Sequence, residues 1–179
     1  MIKIAITGNI ASGKSTVERI LEELGFDVYD TDKIAHEILE NSEEVKETFG
    51  TINRAEIAKI VFNNKEKLAI LESIIHPKVK EKILEIFDKE LEVVFISVPQ
   101  LFEAGFENLF DKIIFVTADE NIRKERLIAR NSYTPEEALK RIKAQNDYLK
   151  KEKSDYVIEN NSDIESLNSE VKKILQEML

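Results

Sequence analysis

The chain opens with "MIKIAIT" and passes directly into "GNIASGKST" at residues 8–16. No other stretch constrains the fold as strongly. Ile2, Ile4 and Ile6 alternate with period two, as in a strand, while Val17, Ile20, Leu21 and Leu24 recur at helical spacing. Between them Gly8, Gly13, Lys14 and Ser15 satisfy G-x-x-x-x-G-K-[ST]. A strand, a loop poor in large side chains and a helix together form a nest of backbone N–H groups, reinforced by the positive end of the helix dipole. Gly13 lets the backbone approach a ligand where a Cβ would obstruct it, Lys14 reaches terminal phosphates, and Ser15 offers a hydroxyl to Mg²⁺. The pattern points to bound phosphate, with Gly8, Asn9, Ile10, Ala11, Ser12, Gly13, Lys14, Ser15 and Thr16 as the residues expected around it.

Downstream, Gly25 stops the first helix and "FDVYD" reads as a short second strand. "TDKIAHEILE" starts a helix with Thr31 or Asp32 expected as N-cap. Residues 43–90 are helical in pattern, with interruptions expected at Gly50, Asn63-Asn64 and His76-Pro77, and with Asn53 and Glu56 in the form of a capping box. That block is far longer than a crossover between strands needs, so it reads as an insertion. "EVVFISVPQ" and "KIIFVTAD" resume as buried strands, followed by two helices, the second with Pro135 in its first turn and a Thr134/Glu137 capping box. "SDYVIEN" is a last strand, and Ser162 is the expected cap of the terminal helix. Five β-like runs alternating with helices predict an α/β fold, a parallel sheet covered on both faces.

Composition narrows the partners. The net charge of −9 over 179 residues argues against a broad nucleic-acid footprint, so a polyanionic ligand has to be held by a local basic cluster. Apolar residues make up 42% and charged residues 34%, which places the chain among soluble globular proteins. No apolar run approaches the roughly 20 residues that span a bilayer, and "MIKIAIT" leads straight into the loop rather than forming a signal peptide. A cytoplasmic protein without membrane contact is the expectation. Cysteine is absent, which excludes disulfides and thiolate metal sites. No structural metal and no obligatory protein partner are expected.

A phosphate loop alone does not separate ATPases, GTPases and small-molecule kinases. The Asn-Lys-x-Asp of a GTPase is missing, since "NNKE" at 63–66 lies in a helical block and ends in Glu. The strand "VVFIS" closes with Val98-Pro99-Gln100 rather than the Asp of an ATPase, and Asp119 reads more simply as a helix cap. Asp30 and Asp32 stand at the C-terminal end of strand two, the edge that lines the ligand crevice in an open α/β sheet. Two carboxylates there can divide the work, one accepting the proton of an attacking hydroxyl and the other orienting it or holding a Mg²⁺-bound water. Capping by one Asp and solvent exposure of the other fits the spacing equally well. Arg123, Arg126 and Arg130 recur on one helix and Arg141 sits on the next. Such cations suit the charge of a phosphoryl-transfer transition state, and equally suit a solvated helix face. His36 has no metal-binding partner at suitable spacing, and His76 before Pro77 reads as a hydrogen-bonded structural residue.

Taken in order, these segments resemble the dephospho-CoA kinase family. "ITGNIASGKSTV" resembles its phosphate loop, "VYDTDKIAHEI" its Asp-x-Asp segment, and "NRAEIAKIVFNNKEKLAILESIIHP" its Arg-to-His-Pro block. "VPQLFEAGFENLFDKIIFV" is similar to the Pro-x-Leu-Phe-Glu strand and turn, "RLIARNSYTPEEALKRIKAQ" to the lid, and "SDYVIENN" to the segment ending in Val-Ile-x-Asn. The resemblance implies a P-loop kinase three-layer sandwich with about five parallel strands. Its nucleotide-binding core would comprise residues 1–35, 91–130 and 151–179, with a helical acceptor subdomain over 36–90 and a lid over 131–150. It implies Mg-ATP-dependent phosphorylation of the ribose 3′-hydroxyl of dephospho-CoA. Asp32 would be the base with Asp30 beside it, Arg126, Arg130 and Arg141 would cover ATP, and Arg54, His76, Leu101, Phe102 and Glu103 would face the acceptor. A kinase for another small nucleotide or hydroxyl acceptor shares the same core, and a nucleotide-dependent binding switch is the alternative from a different class.

The chain departs from the family pattern in a few places. Asn9 and Ala11 stand where the family usually has Gly, so Ala11 has to sit at negative φ or under strain. Gln100 replaces an apolar residue and "RNSY" an Arg-Asp-Gly turn. None of these removes a proposed catalytic group.

Overall fold

The computed structural model describes residues 1–145 and 147–179. In chain order the elements are β1 (Ile2–Gly8), α1 (Lys14–Glu23), β2 (Val28–Asp30), α2 (Thr31–Glu40), α3 (Glu43–Phe49), α4 (Arg54–Val61) and α5 (Lys65–Phe87). They continue with β3 (Val93–Ser97), β4 (Lys112–Thr117), α6 (Glu120–Asn131), α7 (Pro135–Lys143), α8 (Asp147–Glu152), β5 (Tyr156–Glu159) and α9 (Ile164–Met178). The chain divides into two compact units, one of Met1–Tyr29 with Glu92–Leu179 and one of Asp30–Leu91.

The first unit is built on a five-stranded sheet in the order β2-β3-β1-β4-β5. β1 is central and parallel to both neighbours, Ile4 facing Phe95 and Lys112, and Ile6 facing Ser97 and Ile114. β4 pairs in parallel with β5. Strand order reverses at β1, the topological position where open α/β sheets bind ligands at the carboxyl ends of their strands. Ile4, Ala5 and Ile6 are wholly buried because both faces of this strand are covered, which is why it needs a continuous apolar run. On one face Ile4, Ile6, Phe95, Ile114, Val116 and Ile158 pack against Val17, Ile20 and Leu21 of α1 and Leu167, Val171, Ile174 and Leu175 of α9. A second, smaller core joins Leu127 of α6 to Ala138 and Ile142 of α7, and Ile10 and Ala11 of the phosphate loop pack against it.

The second unit is all helical. α5 packs against α2, α3 and α4, and Val45, Ile57, Ile74, Ile75, Val79 and Ile83 are buried. Gly50 (φ 76°) ends α3 in the left-handed region, and Asn53 and Asn64 cap α4 and α5.

Several local expectations change. α5 runs unbroken through Pro77. Pro77 itself is exposed, and burial of Ile74, Ile75 and Val79 on either side offsets a helix-interior proline cost of about 3 kcal/mol. The N-cap of α2 is Asp30, not Thr31 or Asp32, because the Asp30 carboxylate accepts the Asp32 N–H at 2.9 Å. Asp163 rather than Ser162 caps α9, its carboxylate accepting the Ser166 N–H at 2.8 Å. The Asn53/Glu56 box is half formed: Asn53 accepts from the Ala55 and Glu56 amides, while Glu56 Oε2 accepts the Thr51 hydroxyl at 2.5 Å. Asp119 stands at the N-cap position of α6 without capping it. Its backbone N–H donates to Asn161 Oδ1 and its carboxylate accepts from Asn161 Nδ2. The Thr134/Glu137 box of α7 forms with Pro135 at the first helical position.

Candidate functional site

The phosphate loop joins the central strand to α1, so its position is fixed by the most buried part of the sheet. Gly13, the N-cap of α1, has φ 88° and gives no side-chain cap, so that the Lys14 and Ser15 amides have no internal acceptor while the Thr16 and Val17 amides turn back to the Gly13 carbonyl. A Cβ on Gly13 would land on the side-chain amide of Asn160, and one on Gly8 would come within 2.8 Å of both Ser12 Oγ and the Val116 carbonyl. Both glycines are therefore required by space, and Gly13 also by conformation. Ala11 has φ 59°, the strained alternative of the two the sequence left open. A left-handed non-glycine residue costs about 1–2 kcal/mol, so its surroundings have to over-determine it.

That restraint comes from the outer side of the loop. Arg126 Nη1 donates to the carbonyls of Ala11 (3.2 Å) and Ser12 (3.3 Å), and its Nη2 to the carbonyl of Asn160 (2.9 Å). Asn160 Nδ2 donates to the Ser12 carbonyl at 3.0 Å. Arg123 Nε donates to the Ile10 carbonyl at 3.0 Å. Three successive loop carbonyls are thus fixed by side-chain donors from α6 and from the end of β5. The loop is also tied to the segment leading into α8. Gln145 Oε1 accepts the Ile10 N–H at 2.8 Å, Asn9 Nδ2 donates to Asp147, and Asp147 pairs with Arg123. Among the described residues, Ser12 Oγ and Asn9 Oδ1 are buried without a hydrogen-bond partner.

Each expected site residue has a definite place. Lys14 Nζ contacts Glu18 Oε1 and Ser97 Oγ, both at 2.5 Å. Ser15 is exposed in the first turn of α1, and Thr16 donates its N–H to the Gly13 carbonyl. Arg126 is half-buried against the loop, and burial lowers its pKa while leaving it a cation. Arg130 is exposed, its Nε donating to Asn131 Oδ1, and the Arg141 guanidinium lies 4.6 Å over the Tyr133 ring. Leu101 is fully buried and its side chain belongs to the core. Phe102 carries the Lys153 ammonium 5.6 Å from its ring centre, and Glu103 pairs at 2.7 Å with Lys150, whose side chain is 6% exposed. In the helical unit Asp30 is half-buried and commits one oxygen to the α2 cap, whereas Asp32 is exposed. Arg54 is exposed and lines an open cavity of about 700 Å³ with Glu40, Thr51, Ile52 and Asn53. His76 is half-buried within α5.

Sequence reasoning assigns no role to Asn160, Gln145 or Asp147, although the first two stand in segments that carry the family resemblance. Asn160 closes the stretch "VIEN" and Gln145 the stretch "RIKAQ". Nothing local distinguishes such amides from surface residues, because their partners are more than 100 residues away in the chain. Arg123 was visible, but its near-complete burial was not.

The family model described as dephospho-CoA kinase matches residues 2–166. A dephospho-CoA kinase of Carboxydothermus hydrogenoformans is 43% identical over 97% of this chain and 92% of its own length. Among solved structures, a dephospho-CoA kinase from Campylobacter jejuni aligns with a TM-score of 0.76 at 36% identity, covering 98% of this chain and 96% of that one. The protein TT1252 from Thermus thermophilus aligns with a TM-score of 0.86 at 37% identity, covering 99% and 98%.

Proposed function

The chain belongs to the dephospho-CoA kinase family, ATP-dependent phosphotransferases of the final step of coenzyme A synthesis, and from that premise we propose how its residues carry the reaction. The observation that carries the reading is the uncapped start of α1 behind a loop whose Ile10, Ala11 and Ser12 carbonyls are held from outside. Helix amides without an acceptor and an N-cap with no room for a Cβ suit the β- and γ-phosphates of ATP, and the partnerless Ser12 hydroxyl adds a buried donor in the same loop. Lys14 carries positive charge to the terminal phosphates. The exposed Ser15 hydroxyl would hold Mg²⁺, which supplies neutralisation of charge on the phosphate oxygens when bound.

Asp32 takes the proton of the ribose 3′-hydroxyl as that oxygen attacks the γ-phosphorus. The family resemblance supports that role for Asp32, which is exposed, while Asp30 is committed to the helix cap and positions the first turn of α2. Arg126 acts through the loop it clamps, while Arg130 and Arg141 on the lid helices cover the nucleotide. Arg54 and His76 of the helical unit, and Phe102 and Glu103 of the sheet unit, are each assigned to the acceptor by the family resemblance, and the burial of Leu101 makes it a support for its own turn rather than a contact. No described helix is long and apolar enough to cross a membrane, in keeping with work on small-molecule substrates in the cytoplasm.

Incubation with Mg-ATP and dephospho-CoA, read by mass spectrometry alongside AMP, adenosine and shikimate, tests the acceptor. Coenzyme A formed much faster than any other product is the expected result. Asp32→Asn should lower turnover by about 10² or more with ATP affinity largely retained. Unchanged turnover would remove Asp32 from the role.

A further inference from the structure

Lys14 does not stand alone at the foot of the phosphate loop. Its ammonium is 2.5 Å from Glu18 Oε1 and 2.5 Å from Ser97 Oγ, and the Ser97 hydroxyl donates to the same Glu18 oxygen at 2.5 Å. Ser97 is fully buried, and the Lys14 and Glu18 side chains are 17% and 15% exposed. Ser97 is the last residue of β3 and lies in register with Ile6, two residues before Gly8. This is the strand end at which nucleotide-binding proteins of this loop type place the acid of the metal site. Here the strand offers a hydroxyl, and the carboxylate reaches the same point from α1, three residues after Ser15.

Charge balance gives that carboxylate a task. When Lys14 turns to the phosphates, Glu18 is left nearly buried without its counter-ion, a state that is strongly unfavourable unless another positive charge replaces the ammonium. Among the described residues there is no cluster of three His, Asp or Glu side chains able to hold a metal alone. A divalent cation brought by ATP therefore relies on the phosphates, its own water and one or two protein groups. In the first unit the competing acid at a neighbouring strand end, Asp119, is already bonded to Asn161.

We propose that Glu18 is the acidic positioning residue of the metal site. Its carboxylate, fixed to the end of β3 by Ser97, orients the water of the cation that accompanies ATP and takes the part usually played by a strand-end aspartate. This deepens the phosphotransferase reading above and rests on it.

Binding of the β,γ-imido analogue of ATP, titrated calorimetrically in EDTA and again in Mg²⁺, measures the affinity gained from the metal; Mn²⁺ resonance on the same complex reads the cation directly. In Glu18→Gln the affinity in EDTA should be unchanged or tighter, because Lys14 is released, while the gain from Mg²⁺ should fall by about tenfold or more. Moving the acid to the strand, in Glu18→Gln with Ser97→Asp, should restore most of the gain. A gain in Glu18→Gln within about twofold of the parent would overturn the proposal, as would a double variant that recovers nothing. Should the single variant fail to fold, the double variant carries the test by the same criterion. None of these readouts needs an acceptor, so failure here is distinct from failure of the parent protein to make coenzyme A.

Discussion

α1 and α2 each follow a strand of the same sheet, α1 after the phosphate loop and α2 at once, yet their first turns are finished in opposite ways. α2 closes its own amides: the Asp30 carboxylate accepts the Asp32 N–H, with a second acid in the first turn. α1 begins at a left-handed glycine with no cap and no acidic residue in its first turn. A capped helix start is worth about 1 kcal/mol, so leaving α1 open is a local loss of stability that only an external anion recovers. Stability and binding compete for the same backbone groups, and this chain resolves the competition differently at two equivalent places.

The sharpest way to break that contrast is Gly13→Ala. With φ at 88° and Asn160 in the path of the new methyl group, the loop must open, and ATP affinity should fall by a factor of about 100 or more, some 2.7 kcal/mol, by calorimetric titration. Asp30→Ala attacks the other helix. It should lower stability by about 1 kcal/mol in a denaturant melt while ATP affinity stays at the parent value, and Asp30→Asn, which keeps an acceptor oxygen, should recover most of the loss. An equal loss of ATP affinity would show that the two helix starts are not independent.

Ala11→Gly probes the strain in the open loop. Relief of a left-handed alanine, about 1–2 kcal/mol, exceeds the added chain entropy of glycine, so the melting temperature should rise by about 2 °C. A fall would mean that the contacts of the Ala11 methyl in the small α6–α7 core outweigh the strain. The smallest effect is a titration. The Thr134 backbone N–H and then its hydroxyl hold the Glu137 carboxyl below its ordinary value of 4.5. As pH falls the unfolded chain takes up the proton first, so the contribution is complete above 4.5 and is lost as pH drops through the lower folded value. The Ser166 amide does the same for Asp163 at the start of α9. Glu137→Gln should lower the melting temperature slightly at neutral pH and leave it unchanged at acid pH, so that the acid limb flattens.

The contrast also marks the division between what is local and what is not. Alternation in "IKIAIT", the glycine and lysine spacing of the loop, and the Thr134–Glu137 box are each set by interactions within a few residues, so the strand, loop and helix cap were legible in the sequence. Alternation of β-like and helical runs likewise dictated a parallel α/β sheet, since parallel strands need a helical crossover. Tertiary structure decided which of several adjacent polar residues does a job. Asp30 rather than Thr31 caps α2, and Asp163 rather than Ser162 caps α9, because the exact turn of the chain leaving a strand or loop sets which oxygen meets the open amides. The run of helix through Pro77 was settled by burial on both sides of it. Above all, the sequence determined that a phosphate loop exists, while its shape is held by Arg126, Asn160, Arg123 and Gln145, from the other end of the chain. Spacing encodes contacts between near neighbours; contacts closed across more than 100 residues exist only once the sheet has brought their strand ends together.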